Sequence, residues 1–349
     1  MKTSEVAATA SDNHEEIGQT ITNENPYPAL FISHGGPNFI YKDEETQRPW
    51  NQVRKLGQTI KNNWKPDYIV VVSAHWQSSG SNLIEISVPP PPKPISSVDK
   101  SISPVDSTVE NPLIYDFYGF PNHMYREQFH SKGSSLIAEQ LQAKLKEHGF
   151  HAHVTPRGID HGVWVPFKVA FSDYNTQSGV QPKEPTWDLP NTPVIQVSLT
   201  SNDRDFDSHY RLGEVLDHFR RNLIWDQSEN RHLKGLVIGS GMSVHNLRDL
   251  RYVFEGRNAP YVKPFSDLLS TALTSGNTKE NKKRVLDNLK EIQANHRDLL
   301  YRAHPTLEHF LPVVVVSASA GLSPVKELFM DYQGSLAWGM YQFGEDYQK

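Results

Sequence analysis

Short apolar runs alternate along the chain with longer amphipathic segments, which is the pattern of an α/β protein. The runs predict strands at residues 29–33, 67–73, 151–154, 194–199 and 235–238. Helical spacing of apolar residues and capping residues predict helices at about residues 45–62, 134–148, 207–223, 264–275 and 279–300. We therefore expect an α/β fold: a single large domain with a central, mainly parallel but mixed sheet that is flanked by helices.

Four segments have weaker patterns. Leu83–Val88 alternates and predicts an edge strand, and residues 335–343 predict a final strand. Residues 157–164, in which an acid stands beside a histidine between glycines, predict a loop. Residues 313–316 favour a strand by propensity, but residues 306–311 follow a proline and look like the start of a helix, so we predict a helix there.

Length and composition allow one large core, because the chain has 349 residues of which 37% are hydrophobic. We predict a disordered polar leader at residues 1–26 and a folded domain at residues 27–349. Pro- and Ser-containing insertions are expected near residues 89–112 and 172–191. The leader lacks the apolar stretch of a signal peptide, so we expect a cytoplasmic protein.

Charge and cysteine content limit the possible partners and the possible metal ligands of this protein. A net charge of −5 argues against a nucleic-acid partner, and no apolar run approaches the ~18 residues of a membrane span. The sequence does not indicate an oligomeric state. Because the chain has no cysteine but 16 histidines, a transition-metal site would use imidazole, carboxylate or water.

Two histidines stand where predicted strands end. His34 follows the first strand in Ser-His-Gly-Gly-Pro, and His75 follows the second in Ser-Ala-His-Trp. Either one alone is typical of a hydrogen-bonded structural histidine. The carboxyl ends of parallel strands meet at one edge of a sheet, where α/β proteins place ligands. Together the two histidines therefore indicate a shared site.

Three further histidines lie in comparable settings. His161 stands beside an acid in the predicted loop, and His245 follows the Gly-Ser-Gly at the end of the predicted strand 235–238. This Gly-Ser-Gly lacks the third glycine of a dinucleotide-binding turn, so we interpret His245 as a ligand or an acid/base. Glu308 and His309 are adjacent and point about 100° apart on a helix, so only one of them would face a metal.

An aromatic stretch at residues 115–121, with Tyr125 after it, has two interpretations. It is either a packed loop or the wall of a pocket for a flat aromatic substrate. For the second interpretation the candidate substrate-binding residues are Phe117, Tyr118 and Tyr125.

Taken in order, these motifs resemble a known family. The motifs are Ser-His-Gly-Gly-Pro, Ser-Ala-His-Trp, Asp-Phe-x-Gly-Phe-Pro at 116–121, Asp-His-Gly-x-Trp at 160–164, the segment 240–247 that ends in His-Asn-Leu, and Glu-His-Phe-Leu-Pro at 308–312. They are similar to those of class III extradiol ring-cleavage dioxygenases, of the DOPA 4,5-dioxygenase type. The resemblance extends from about residue 28 to residue 343. Each motif is weak alone, but a chance match of all of them in register is improbable.

The resemblance implies a site and a reaction. His34, His75 and His309 would hold one divalent metal ion, either Zn²⁺ or non-haem Fe²⁺, with His245 as a fourth ligand or an acid/base. In relatives that cleave protocatechuate the third ligand is a glutamate, so Glu308 stays an alternative to His309. His161 and His245 would be the catalytic acid/base residues. The partners would be a small aromatic diol, such as L-DOPA, and O₂.

Two other functions remain open at this point. A zinc hydrolase on the same scaffold would use His161 or His245 to activate water, because zinc binds well to imidazoles but does no redox chemistry. A non-catalytic peptide-binding module is the second alternative, although the retention of every candidate ligand argues against it.

Overall fold

A computed structural model describes residues 20–91, 110–173, 187–275, 283–321 and 323–348. Most of the predicted leader and the central parts of both predicted insertions lie outside the described residues. Within the described ranges, no helix has the length and apolarity needed to cross a membrane.

The strands are given in chain order. They are β1 Ile21–Thr22, β2 Ala29–Ser33, β3 Tyr68–Gln77, β4 Leu83–Val88, β5 His151–Pro156, β6 Val194–Leu199, β7 Asn222–Asp226, β8 Arg231–Leu233, β9 Gly235–Gly241, β10 Val244–His245, β11 Lys326–Phe329, β12 Tyr332–Gln333, β13 Leu336–Ala337 and β14 Met340–Phe343.

The helices follow the same order. They are α1 Gln47–Gln58, α2 Ser135–Glu147, α3 His161–Phe171, α4 Phe206–Arg221, α5 Arg251–Phe254, α6 Val262–Thr274, α7 Arg284–Asn295, α8 Arg297–Ala303 and α9 Leu311–Ser317. A π-helical turn, Thr59–Trp64, continues α1. Short 3₁₀ helices occupy Pro37–Ile40, Met124–Arg126, Leu247–Asp249 and Ala318–Ala320.

An eight-stranded sheet, in the order β11-β14-β2-β9-β3-β6-β4-β5, is the centre of the domain. Its middle strands β2, β9, β3 and β6 are mutually parallel. Antiparallel pairs join β14 to β2 and β4 to β6, while β4 and β5 are parallel. The expected α/β domain with a mainly parallel, mixed sheet is thus confirmed.

Helices cover both faces of this sheet because alternate strand residues point to opposite sides. Phe31 and Val70 belong to the core under α2, α4 and α6–α9. Leu30 and Ile69 belong to the core under α1 and α3. The continuous apolar runs of the strands are the consequence of this two-sided burial.

The prediction of an unstructured leader over all of residues 1–26 is wrong for its last part. β1 pairs antiparallel with β7, and the buried Asn23 side chain donates a hydrogen bond to Arg220 O at 3.0 Å. A two-residue strand is too short to give a sequence pattern, so the boundary was missed.

Two other predictions are corrected by neighbouring elements. β4 is an inner strand, because β5 pairs along its outer side. Residues 161–164 of the predicted loop are the first turn of α3. This helix is buried on every side and contains Pro166, so it has neither an amphipathic period nor an uninterrupted helical sequence.

The C-terminal region combines a confirmed and a corrected prediction. The valine-rich residues 313–316 are helical, as predicted, and α9 packs between β9 and α4, so tertiary packing outweighs their strand propensity. The helix begins only at Leu311, so the expected start at residues 306–311 is wrong for residues 306–310, and Glu308 and His309 lie in the turn before it. The predicted final strand is interrupted at Trp338 and Gly339. Its first part, β13, pairs with β10, and its second part, β14, joins the main sheet.

Candidate metal centre

His34 and His75 reach the carboxyl edge of the sheet on two strands that are separated by β9. His34 directly follows β2, and His75 lies near the end of β3. Both strands pair with β9, which lies between them and ends in Gly239-Ser240-Gly241. These small residues leave room between the two imidazoles.

His309 enters this space from the turn before α9. A Cβ atom at Gly241 would lie 2.3 Å from His309 O, and one at Gly239 would lie 2.6 Å from Pro312 O. The Met242 N–H group also donates a hydrogen bond to His309 O at 3.0 Å. The Gly-Ser-Gly segment therefore permits close passage of the chain that carries His309.

The side chains of His34, His75 and His309 converge. Their candidate ligand atoms all lie within 4.8 Å of one another, and the Nε2 atoms of His75 and His309 are 3.2 Å apart. Two nitrogens bonded to one tetrahedral ion at about 2.0–2.1 Å stand about 3.3 Å apart. The observed spacing is compatible with a shared ion.

Each of the three rings turns its Nδ1 atom toward an oxygen. His34 Nδ1 lies 2.6 Å from Gly35 O, His75 Nδ1 lies 3.5 Å from Asp116 Oδ2, and His309 Nδ1 lies 3.1 Å from Glu308 Oε1. The contacts of His34 and His309 are hydrogen bonds, which hold a proton on Nδ1 and leave the Nε2 lone pair for a metal. At His75 the longer contact acts through the charge of Asp116. The contact with Glu308 places this carboxylate behind His309.

The fit to a cation is clearest at His34 Nε2. This atom is buried, and no hydrogen-bond partner for it exists among the described residues. Burial, with the neighbouring charge of His161, lowers the pKa of His34 to about 3. Burial and the other histidines also lower the pKa of His75 and of His309. All three rings are therefore neutral near pH 7, which is the form that binds metals, and three imidazoles suit Zn²⁺ or Fe²⁺.

His161 lies beside this trio at the start of α3. Its ring centroid is 3.9 Å from that of His75, and its Nδ1 is 2.9 Å from Asp116 Oδ1. The His161 backbone N–H also donates to Asp116 Oδ1 at 3.0 Å. Burial alone would raise the pKa of Asp116, but these contacts with His161 bring it below its usual value.

His245 stacks on His309 from β10. The two rings are nearly parallel, at 12°, with centroids 3.5 Å apart. The candidate ligand atom of His245 groups with Glu308 and His309 and not with His34 or His75. Burial, together with the neighbouring imidazoles of His34 and His161, lowers the pKa of His245 to about 3. His245 is therefore a neutral imidazole at the margin of the trio.

The three candidate aromatic residues have different surroundings. Phe117 is buried and presents an edge-on contact to His161, with centroids 5.8 Å apart at 89°. Tyr125 packs on Phe117 at 4.9 Å and donates a hydrogen bond to its carbonyl oxygen at 3.2 Å. Tyr118 is 90% exposed, so the structure does not bring it to the histidines.

A polar network that the sequence motifs alone do not indicate lies beneath the site. Asp160 is fully buried, accepts a hydrogen bond from Ser73 Oγ at 2.7 Å and pairs with Arg157 at 3.1 Å. Gln196 Nε2 donates to the same carboxylate. Ser73 Oγ in turn accepts the His75 backbone N–H at 3.1 Å. In the sequence this network is marked by Asp160, the acid before His161. Its carboxylate does not face the histidine rings but supports the His75 backbone through Ser73.

The fold and the imidazole cluster define a candidate metalloenzyme, and comparison with known proteins identifies its family. Residues 28–343 match the family described as "Catalytic LigB subunit of aromatic ring-opening dioxygenase". The chain belongs to this family, as the sequence motifs implied.

Several curated relatives are similar over most of their length. The chain is 30% identical over 328 residues to the "4,5-DOPA dioxygenase extradiol-like protein" of Schizosaccharomyces pombe, covering 90% of this chain and 91% of the relative. It is 29% identical over 326 residues to "4,5-DOPA dioxygenase extradiol" of Beta vulgaris, covering 92% and 98%. An uncharacterized Escherichia coli K12 protein of known structure, with a TM-score of 0.60 and 22% identity, covers 91% of this chain and 100% of its own and supports the fold.

Proposed function

We propose that this protein is a metal-dependent extradiol dioxygenase that opens the ring of a catechol, such as L-DOPA, with O₂. The observation that carries the proposal is the convergence of His34, His75 and His309, each with Nδ1 turned to an oxygen, in a chain of the aromatic ring-opening family. The names of the curated relatives support a catechol substrate.

In this proposal His34, His75 and His309 hold the ion, and His245 is an acid/base rather than a fourth ligand. When bound, ferrous iron supplies Lewis acidity toward the two diol oxygens and the redox chemistry toward O₂, which zinc does not supply. The position of Glu308 behind His309 supports the choice of His309 as the ligand.

The remaining residues bind the diol and move protons. His245, whose ring stacks on that of the proposed ligand His309 with centroids 3.5 Å apart, accepts a proton from a diol hydroxyl. His161, whose Nδ1 faces Asp116, takes up a proton from the diol on its other ring nitrogen and then returns it to an oxygen atom of the reacting species. Phe117 and Tyr125 form the wall against which the aromatic ring packs.

The test is anaerobic loading of the purified protein with Fe(II), followed by L-DOPA and then air, while the visible spectrum is recorded. We expect a yellow ring-opened product from the iron-loaded protein and none from the zinc-loaded protein. His34→Ala should abolish the colour, whereas His151→Ala, at an exposed position of β5, should leave it unchanged.

The opposite result would contradict the proposal. If several catechols give no colour with the iron-loaded protein while it retains zinc tightly, ring cleavage is excluded as the activity. The zinc hydrolase on the same scaffold would then be the function to test.

A further inference from the structure

One carboxylate stands between two histidines to which the proposed function gives different tasks. Asp116 Oδ2 lies 3.5 Å from Nδ1 of His75, and Asp116 Oδ1 lies 2.9 Å from Nδ1 of His161. The two rings are themselves in contact, with centroids 3.9 Å apart and an angle of 48° between their planes. Asp116 therefore faces both rings on the side away from their Nε2 atoms.

We infer that Asp116 is a positioning residue that couples the proposed metal ligand His75 to the proposed acid/base His161. Its negative charge, 2.9 Å from Nδ1 of His161 and 3.5 Å from Nδ1 of His75, favours the tautomer of each ring that carries its proton on Nδ1. The Nε2 lone pair of His75 then faces the ion, and the Nε2 atom of His161 faces the substrate. This inference rests on the proposed function, which makes His75 a metal ligand and His161 an acid/base.

The backbone around Asp116 strengthens the coupling. Asp116 Oδ1 also accepts the backbone N–H of His161 at 3.0 Å, which fixes the carboxylate to the first residue of α3. Phe117, the next residue, contacts the ring of His161 edge-on. Carboxylate, pocket wall and imidazole are thus joined in one unit, and a shift of any of them changes the orientation of His161.

Glu308 provides a matched comparison within the same site. It lies behind a proposed ligand in the same way, with Oε1 3.1 Å from His309 Nδ1. Its carboxylate also accepts a hydrogen bond from the Thr306 hydroxyl and lies within 4.8 Å of a ring nitrogen of His245. Removal of either carboxylate therefore removes a negative charge beside Nδ1 of one proposed ligand, which is His75 for Asp116 and His309 for Glu308. Only Asp116 also faces His161.

The experiment compares Asp116→Asn with Glu308→Gln, since both substitutions preserve shape. Zinc affinity is measured by competition with a chromophoric chelator, and kcat and KM are measured at saturating Fe(II). Nitrogen NMR of histidine-labelled, zinc-loaded protein reports which ring nitrogen of His161 carries the proton. Thermal unfolding verifies that each variant is folded.

Both variants should bind zinc about 10-fold more weakly, as is typical when a carboxylate behind a ligand is lost. At saturating iron Asp116→Asn should lower kcat by about 10²-fold, more than Glu308→Gln does and with little change in KM, because His161 loses its orientation. The proton of His161 should leave Nδ1 in Asp116→Asn and stay there in Glu308→Gln.

Two results would overturn the inference. One is equal kcat for both variants together with an unchanged His161 tautomer in Asp116→Asn. The other is a second bound zinc ion that Asp116→Asn removes, since His75, Asp116 and His161 also lie within 4.8 Å of one another and Asp116 would then be a ligand. If the wild-type protein opens no ring, the proposed function fails, while zinc affinity and the His161 tautomer still decide the role of Asp116.

Discussion

The histidine cluster has two halves that the protein holds in different ways. His34 and His309, the backbone-held half, are fixed to the end of β9: the His34 N–H donates to Gly241 O at 2.9 Å, and His309 O accepts from the Met242 N–H at 3.0 Å. His161 and Asp116, the side-chain-held half, depend on contacts of the Asp116 carboxylate with a ring nitrogen and a backbone N–H group.

This difference matches two demands of the proposed reaction. Metal ligands need positions that do not change between the free and the loaded protein, and packed strands provide such positions. A group that moves protons needs a chosen tautomer and orientation, which one side-chain contact can set. Substitutions in the two halves should therefore separate loss of metal from loss of proton transfer.

The largest effect is expected in the backbone-held half. His309→Ala removes one of three imidazoles from the trio, so the protein should retain little metal after dialysis and lose activity by about 10³-fold or more. Metal analysis of the dialysed protein and the ring-opening assay measure the two effects. Full metal retention in His309→Ala would show that the trio is not the binding site.

A smaller loss, of a different kind, is expected in the side-chain-held half. His161→Gln should keep its metal and lose kcat by at least about 10²-fold, the usual contribution of an acid/base. Metal content and kcat are measured on the same preparation of His161→Gln, so that retention of metal and loss of activity are compared directly. Loss of metal in parallel with activity would assign His161 to the ligand set and remove the distinction between the halves.

The pH dependence of stability tests how deeply the cluster is buried. Burial holds the pKa of His34 and His245 at about 3, below the usual 6.5, so the unfolded chain binds protons that the native protein does not. The free energy of unfolding of the metal-free protein should therefore be fully present above pH 6.5 and fall as the pH decreases toward 3. Urea unfolding at pH 7.5, 5.5 and 4.5 measures it; equal values at all three would contradict this burial.

The smallest effects concern the aromatic wall next to the side-chain-held half. Phe117→Ala should raise KM for a catechol by about 10-fold through lost apolar contact. Tyr118→Ala is the matched control: this side chain is 90% exposed, and KM should stay within about two-fold. Steady-state kinetics of both variants decide, and a larger effect at Tyr118 would mean that the substrate binds on the outer side of this loop.

The two halves of the cluster also differ in how far the sequence predicts them. His34 and His75 were found because unbroken apolar runs mark buried strands, and a polar residue at the end of such a run is conspicuous. The carboxylate partner of His161 was missed because Asp116 precedes it by 45 residues along the chain. Such contacts leave no local pattern and appear only when the chain is folded.

In the fold, too, local patterns predict single elements but not their contacts with distant parts of the chain. β2, β4 and β6 have the bounds that their apolar patterns predict, but the inner position of β4 depends on its pairing with β5. The start of α3 was read as a loop because a helix that is buried all round and contains Pro166 has no helical signature. Its first residue is His161, so this local error also hid how that side chain is positioned.

The most direct test of the account is X-ray absorption spectroscopy of the metal-loaded protein, combined with a metal count per chain. The account predicts one ion with three imidazole nitrogens at about 2.0–2.1 Å if the ion is zinc. With zinc added and no dialysis, His309→Ala should lose one imidazole contribution and His245→Ala should lose none. Two ions per chain, or a first shell in which carboxylate oxygen replaces an imidazole, would contradict it.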